Sequence, residues 1–167
     1  MSSDALSLSS SDYRKAMALF ATGVAVLAVE GPDGNIMGMT ANAITSVSLE
    51  PLLLLVCVEK IANLAGLLLD APGFSLSFLS ERQQALSDYF AGRWQGDPPP
   101  FSFEPWEGGL LLTGSIAAIG CRRYAVLEGG DHWIVEGEVI GLHRTPDAGD
   151  PLMFFASRYQ RLRSSQG

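Results

Sequence analysis

The sequence predicts a mainly β domain with a few helices, in which six or seven mostly antiparallel strands form a small closed or nearly closed barrel. Three observations point there. Short apolar or alternating runs recur between turn residues, only three stretches read as helix, and the 167 residues are 47% hydrophobic. A chain of that length makes one domain that buries on the order of 70% of its unfolded surface. There are no internal repeats or linkers to divide it.

Residues 1–11 are Ser-rich with few large side chains, which predicts a mobile tail. Tyr13, Ala16, Met17 and Phe20 then recur at helical spacing, so a first helix is expected to pack on the core, with Ser11 as a cap and Gly23 as a stop. Residues 24–30 and 35–40 read as a hairpin around the type I turn Gly31-Pro32-Asp33-Gly34. After a polar connector, residues 52–58 form a continuous apolar run, the pattern of a strand buried on both faces. Residues 62–70 read as a short helix that Asn63 caps and Pro72 stops.

Phe74, Leu76 and Phe78 alternate with smaller residues as a strand does. Ser80-Glu81-Arg82-Gln83 has the form of a capping box for a helix running to Phe90, with Gly92 at its end. Residues 93–109, with Trp94, three consecutive prolines and Trp106, predict an irregular excursion over the barrel, a covering loop before a substrate lid. Strands are expected at residues 115–126 and 131–143, joined by Glu128-Gly129-Gly130, and a short one at 152–156.

Composition removes several functions. A formal net charge of −7, with only 11 Lys and Arg, leaves no basic face for nucleic acid. The longest apolar run is far too short to span a bilayer, so a soluble, cytoplasmic protein is expected. Cys57 and Cys121 lie in separate apolar runs and read as reduced core residues. His132 and His143 lie on one predicted strand at an odd spacing, which points them to opposite faces, so no metal site is expected. The local signals of dinucleotide folds, phosphate loops and serine esterases are missing too.

The connector at residues 38–51 is the candidate active site. Thr40, Asn42, Thr45, Ser46 and Ser48 place small hydrogen-bonding groups in a segment whose only charge is Glu50. Such a row suits a ligand that needs donors along its length, a phosphate-bearing cofactor among them, although hydroxyl-rich turns also bond to their own backbone.

Gly38-Met39-Thr40-Ala41-Asn42-Ala43-Ile44-Thr45-Ser46-Val47-Ser48-Leu49-Glu50-Pro51 resembles the signature of the flavin reductase-like family, the split β-barrel domains that bind FMN. Gly130-Asp131-His132, followed by Gly137-Glu138-Val139, resembles that family's second motif, and Tyr159 falls near the C-terminus where members commonly carry a tyrosine. The likeness covers about residues 12–162, leaving 163–167 as a C-terminal tail. It implies a six-stranded, antiparallel, Greek-key-like barrel. Two departures stand out: Ala43-Ile44 replaces a common Ser-Phe, which removes a hydroxyl worth about 1 kcal/mol, and Leu52 replaces a second proline.

The resemblance also implies site roles. Thr40, Ala41, Asn42 and Ala43 would line the isoalloxazine, and Ser46, Val47 and Ser48 would hold the ribityl chain and phosphate. Thr45 and Phe90 join these flavin contacts. Lys60 and Asn63 would complete the phosphate site, with a solvated Lys60 as the other reading. His132, oriented by Asp131, would touch the nicotinamide nucleotide. Tyr159 would cover the flavin or the nicotinamide, or else pack the core.

The implied activity is an NAD(P)H-dependent flavin reductase that carries a hydride from NADH to FMN or FAD and supplies reduced flavin to a partner monooxygenase. NADH is favoured over NADPH because no basic cluster is set aside for a 2′-phosphate. Two other readings share the fold: a flavoprotein that keeps its flavin and acts on its own substrate, and a non-catalytic flavin carrier. The Gly130-Asp131-His132 turn favours the first. Similar proteins are homodimers with flavin sites near the subunit interface.

Overall fold

The computed structural model describes residues 8–162. Of the expected tail at 1–11, residues 1–7 lie outside the described residues, as does the expected C-terminal tail at 163–167. Helix α1 spans Ser10–Met17 and is capped by Ser9, whose Oγ accepts the N–H of Asp12 at 3.1 Å. It therefore starts inside the stretch expected to be a tail. Helix α1 also buries none of its residues: Tyr13, Met17 and the following Phe20 are all exposed. The stripe predicted a helix correctly, and its apolar side faces away from the core.

Strands β1 (Thr22–Gly23), β2 (Ala25–Glu30) and β3 (Ile36–Ala41) follow, with β2 and β3 paired as the expected hairpin. Next come β4 (Ile44–Leu49) and β5 (Leu52–Glu59). The connector of the sequence reading is thus largely strand, since Ile44, Ser46 and Leu49 pair with Val56, Leu54 and Leu52. Helix α2 (Ala65–Asp70) is preceded by Leu64 without any side-chain cap, so Asn63 does not cap it. Strand β6 (Gly73–Phe78) leads to a 3₁₀ turn at Glu81–Gln83 and helix α3 (Gln84–Phe90). The expected capping box is present: Gln83 Oε1 accepts the Ser80 N–H at 3.0 Å. The Pro-rich excursion contains strand β7 (Phe103–Trp106), paired with β8 (Gly109–Leu112). The long strands β9 (Ala117–Gly129) and β10 (His132–Arg144) follow, then β11 (Met153–Phe155) and an unexpected β12 (Arg158–Gln160).

The main sheet runs β3-β2-β6-β9-β10-β5-β4 and is antiparallel throughout, with seven strands where the family likeness implied six. Its edges explain its shape. Laid flat, seven strands would separate β3 from β4 by roughly 29 Å at ~4.8 Å per step. Yet only Asn42 and Ala43 join those edges, and three residue steps reach at most roughly 11 Å. The sheet must therefore coil into a barrel. It stays unsealed between β3 and β4, and the seam is bridged by the residues singled out as a ligand site.

Two apolar clusters hold this shape. One fills the barrel with Leu27, Val29, Leu54, Val56, Leu76 and Val135. The other lies outside β2, where Val24, Val26, Leu79, Leu86, Leu112 and Leu152 pack beneath α3 and β11. Strand β2 contributes to both and, like the middle of β6, is buried on both faces. Strand β5, expected in that role, alternates: Leu54, Val56 and Val58 are buried, whereas Leu53, Leu55 and Cys57 are half-buried on the other side.

Candidate active site at the barrel seam

A cavity of about 910 Å³ opens at the seam. Its floor is the end of β3 with the linking pair: Met39, Thr40, Ala41, Asn42 and Ala43. One side is formed by Cys57 and Glu59 of β5, His132 of β10, and Ala62 with Asn63. The opposite side is aromatic, with Tyr89 and Phe90 at the end of α3 and Phe101 and Phe103 from the excursion.

The aromatic side packs tightly. Phe90 meets Tyr89 and Phe101 edge-to-face, with ring centroids 5.0 Å apart in each case, and Phe101 meets Phe103 at 5.9 Å. Each such pair adds roughly 0.5–1.5 kcal/mol beyond the area it buries. Phe90 lies directly over Gly38, where a Cβ would stand 2.6 Å from the ring. The bare Cα of Gly38 makes room for that ring. Gly92, at φ +71°, turns the chain out of α3 into the excursion.

Polar groups are concentrated on the floor. Thr40 Oγ1 donates to the Ser87 carbonyl at 2.7 Å, which commits its proton to α3 and ties β3 to that helix. Asn42 Nδ2 donates to Thr22 Oγ1 at 3.2 Å. On the far side, His132 Nδ1 lies 2.8 Å from Asp131 Oδ1, and this hydrogen bond holds the Asp131 carboxyl below its ordinary value. The Lys60 N–H donates to the Asp131 carbonyl at 2.9 Å and fixes the turn. An Nδ1–H given to a carboxylate leaves Nε2 for a ligand in the cavity.

The structure brings together Thr40, Ala41, Asn42, Ala43, Asn63, Phe90 and His132 around one space. Thr45, Ser46, Val47 and Ser48 lie on the edge strand outside its lining, and Thr45, Ser46 and Val47 are exposed. Ser48 Oγ accepts the Glu50 N–H at 3.2 Å, a local turn contact. Lys60 does not line the cavity: its Nζ sits 4.7 Å from the Trp133 ring centroid and 3.6 Å from Glu128 Oε2. Tyr159 lines a smaller neighbouring cavity of about 130 Å³, which shares Thr40, Asn42 and Ala91 with the large one. The sequence reading placed Cys57 in the core; it is half-buried at the cavity wall, and burial raises its thiol pKa. Tyr89, Phe101, Phe103 and Glu59 are cavity residues outside every stretch that the sequence marks as a site.

These residues fit a flavin. The volume is within the range of small-molecule and cofactor sites, roughly 300–1,000 Å³. An aromatic wall facing a polar floor matches a ring system that is apolar at one edge and rich in N and O at the other. Among the described residues, no three His, Cys, Asp or Glu side chains gather as a metal site would require, and no helix is long and apolar enough to cross a membrane.

Comparison with known proteins points the same way. The flavin reductase like domain matches residues 17–163. The NADH-dependent flavin reductase StyB of Pseudomonas fluorescens is 36% identical over 157 residues, covering 93% of this chain and 91% of that one. The reductase component of 4-hydroxyphenylacetate 3-monooxygenase from Thermus thermophilus is 38% identical over 154 residues, covering 90% and 95%. The structure of the NADH:FAD oxidoreductase SgcE6 of Streptomyces globisporus, in complex with NAD and FAD fragments, superposes with a TM-score of 0.84 at 34% identity, covering 94% of each chain. By family match, sequence identity and fold, the chain belongs to the flavin reductase-like domain family.

Proposed function

We propose that the protein is an NADH:flavin oxidoreductase that reduces FMN or FAD in the seam cavity and supplies the reduced flavin to a separate monooxygenase. The observation that carries this reading is the meeting of Thr40–Ala43, the Phe90 wall and His132 around one cavity of flavin size. FMN or FAD, when bound, supplies the two-electron acceptor for the nicotinamide hydride. The protein's part is to hold two rings in contact and keep water from between them, which asks little of acid–base residues.

On this reading the Thr40–Ala43 floor takes the polar edge of the ring and the Phe90 wall its apolar edge. Ser46, Val47 and Ser48 continue from the floor along β4 and hold the ribityl chain and phosphate beyond the cavity mouth, with Thr45 beside them. Asn63 and Lys60 close the phosphate end. Lys60 reaches it by leaving Glu128, an exposed ion pair of the kind worth only about 0–1 kcal/mol. His132 contacts the nicotinamide nucleotide. Among the described residues the cavity lining carries Glu59 and no Lys or Arg, which disfavours a 2′-phosphate and supports NADH.

We place the active form as a homodimer in the cytoplasm. Leu49, Leu52, Ile140 and Leu142 leave large apolar side chains in water, as does α1, and β4 is an unpaired edge. A second copy would cover such surfaces. The two cysteines are free thiols, as a reducing compartment keeps them.

The test is steady-state NADH oxidation with FMN, FAD or no flavin added, comparing wild type with His132→Ala. Turnover should require added flavin, and the variant should raise the KM for NADH about tenfold with kcat changed far less. Flavin binding without any NADH oxidation would contradict the proposal.

A further inference from the structure

We propose that Tyr159 is a positioning residue: its hydroxyl, acting through Ser87, Asp88 and Arg93, fixes helix α3 against β3 and so sets the placement of the cavity's aromatic wall. This inference rests on the reading of the large cavity as the flavin site.

The geometry forms a continuous chain. Tyr159 Oη lies 2.8 Å from Ser87 Oγ and 3.0 Å from Asp88 Oδ1, and it accepts from Arg93 at 2.7 Å. Arg93 also grips Asp88 Oδ1 through Nε at 3.2 Å and a terminal nitrogen at 3.1 Å. Ser87 is fully buried, and its carbonyl receives the Thr40 hydroxyl from the cavity floor. A single phenol therefore meets the two residues that precede Tyr89 and Phe90, and the arginine that opens the excursion leading to Phe101. Tyr159 itself lines only the smaller cavity, so it acts on the wall from behind.

The element carrying Tyr159 is built for this presentation. The β11–β12 hairpin turns through Ala156 and Ser157, both left-handed at φ +50° and +60° without being glycine. That conformation costs roughly 1–2 kcal/mol per residue. Phe154 packs edge-to-face on Tyr159 across the hairpin's two strands at 5.5 Å, and the hairpin is tied to the body where β1 pairs with β11, where the Ala156 N–H donates to the Ala18 carbonyl at 2.7 Å and where the Tyr159 hydroxyl joins the α3 network. Burial pushes the phenol's pKa up.

The experiment compares wild type, Tyr159→Phe and Phe154→Leu, measuring the Kd for oxidised FMN by fluorescence quenching and Tm in parallel. Tyr159→Phe keeps the ring and removes only the hydroxyl; it should raise the Kd roughly five- to tenfold, the worth of about one hydrogen bond, with a small fall in Tm. Phe154→Leu loosens the hairpin but keeps the hydroxyl network; it should lower Tm more while leaving Kd within about twofold of wild type. Combining Tyr159→Phe with Ser87→Ala should add less than the sum of the two effects, because both act through one bond. A Tyr159→Phe variant that binds FMN like wild type, or a Kd that simply follows Tm across the variants, overturns the positioning role and leaves the flavin site intact. A wild type that binds no FMN removes both.

Discussion

The two halves of residues 38–51 carry the same kind of side chain and meet different surroundings. Thr40 near the end of β3 and Asn42 in the link that follows lie at the barrel seam, in one cavity with the aromatic wall and His132. Thr45, Ser46 and Ser48 lie on β4, an edge strand, with Thr45 and Ser46 exposed. The difference arises from topology. Chain order makes the halves neighbours, but sheet order sends β3 and β4 to opposite edges, so the two linking residues face the gap and the next four leave along the rim. A single ligand can use both, its ring on the first half and its charged tail on the second.

The largest effect should come from Gly38→Val, which drives a branched side chain into the Phe90 ring. Overpacking of this kind costs roughly 1–3 kcal/mol, and closure of the cavity should weaken FMN and riboflavin alike by more than about tenfold, measured by flavin fluorescence. Ser46→Ala and Ser48→Ala sharpen the contrast. If the edge half holds the phosphate, each should lower FMN affinity about tenfold, the worth of a hydrogen bond to a charged group, while riboflavin binding stays unchanged. Equal loss for both ligands would erase the distinction between the halves.

The two cysteines supply a smaller effect. Cys57 lines the cavity, and burial raises its thiol above the ordinary 9.0, so alkylation should climb as pH rises beyond that value. Bound FMN should slow it several-fold. Cys121, buried and pushed up to about 12, should remain unlabelled in the folded protein. The smallest effect is expected at the β11–β12 turn, outside the lining of either cavity: Ser157→Gly relieves a left-handed residue and should raise stability by about 0.5–1 kcal/mol, read by denaturant unfolding, while the Tyr159 hydroxyl contacts and flavin affinity stay as they are.

How far the sequence could be read follows from which features have a local signal. The β2–β3 hairpin, the capping box before α3 and the long β9–β10 pair were legible because turn chemistry and alternation are written over a few residues. Thr40 and Asn42 stood out because hydroxyls and amides are unusual between apolar runs. Strand β4 carries strand-like residues in Ile44, Val47 and Leu49, but the serines between them give the segment the local look of a loop. Phe101 and Phe103 had no such signal. They sit in a proline-rich stretch without periodicity, and only the fold shows that Phe90 gathers them. The misreading of β5 has a similar origin, since a run of leucines does not tell which face meets the core.

The most direct test of the account is anaerobic mixing of the protein with FMN and NADH while the flavin's visible absorbance is followed. Bleaching should proceed at a rate proportional to protein concentration, and at least about tenfold slower with Gly38→Val. Bleaching no faster than in protein-free solution, with FMN demonstrably bound to the wild type, would contradict it.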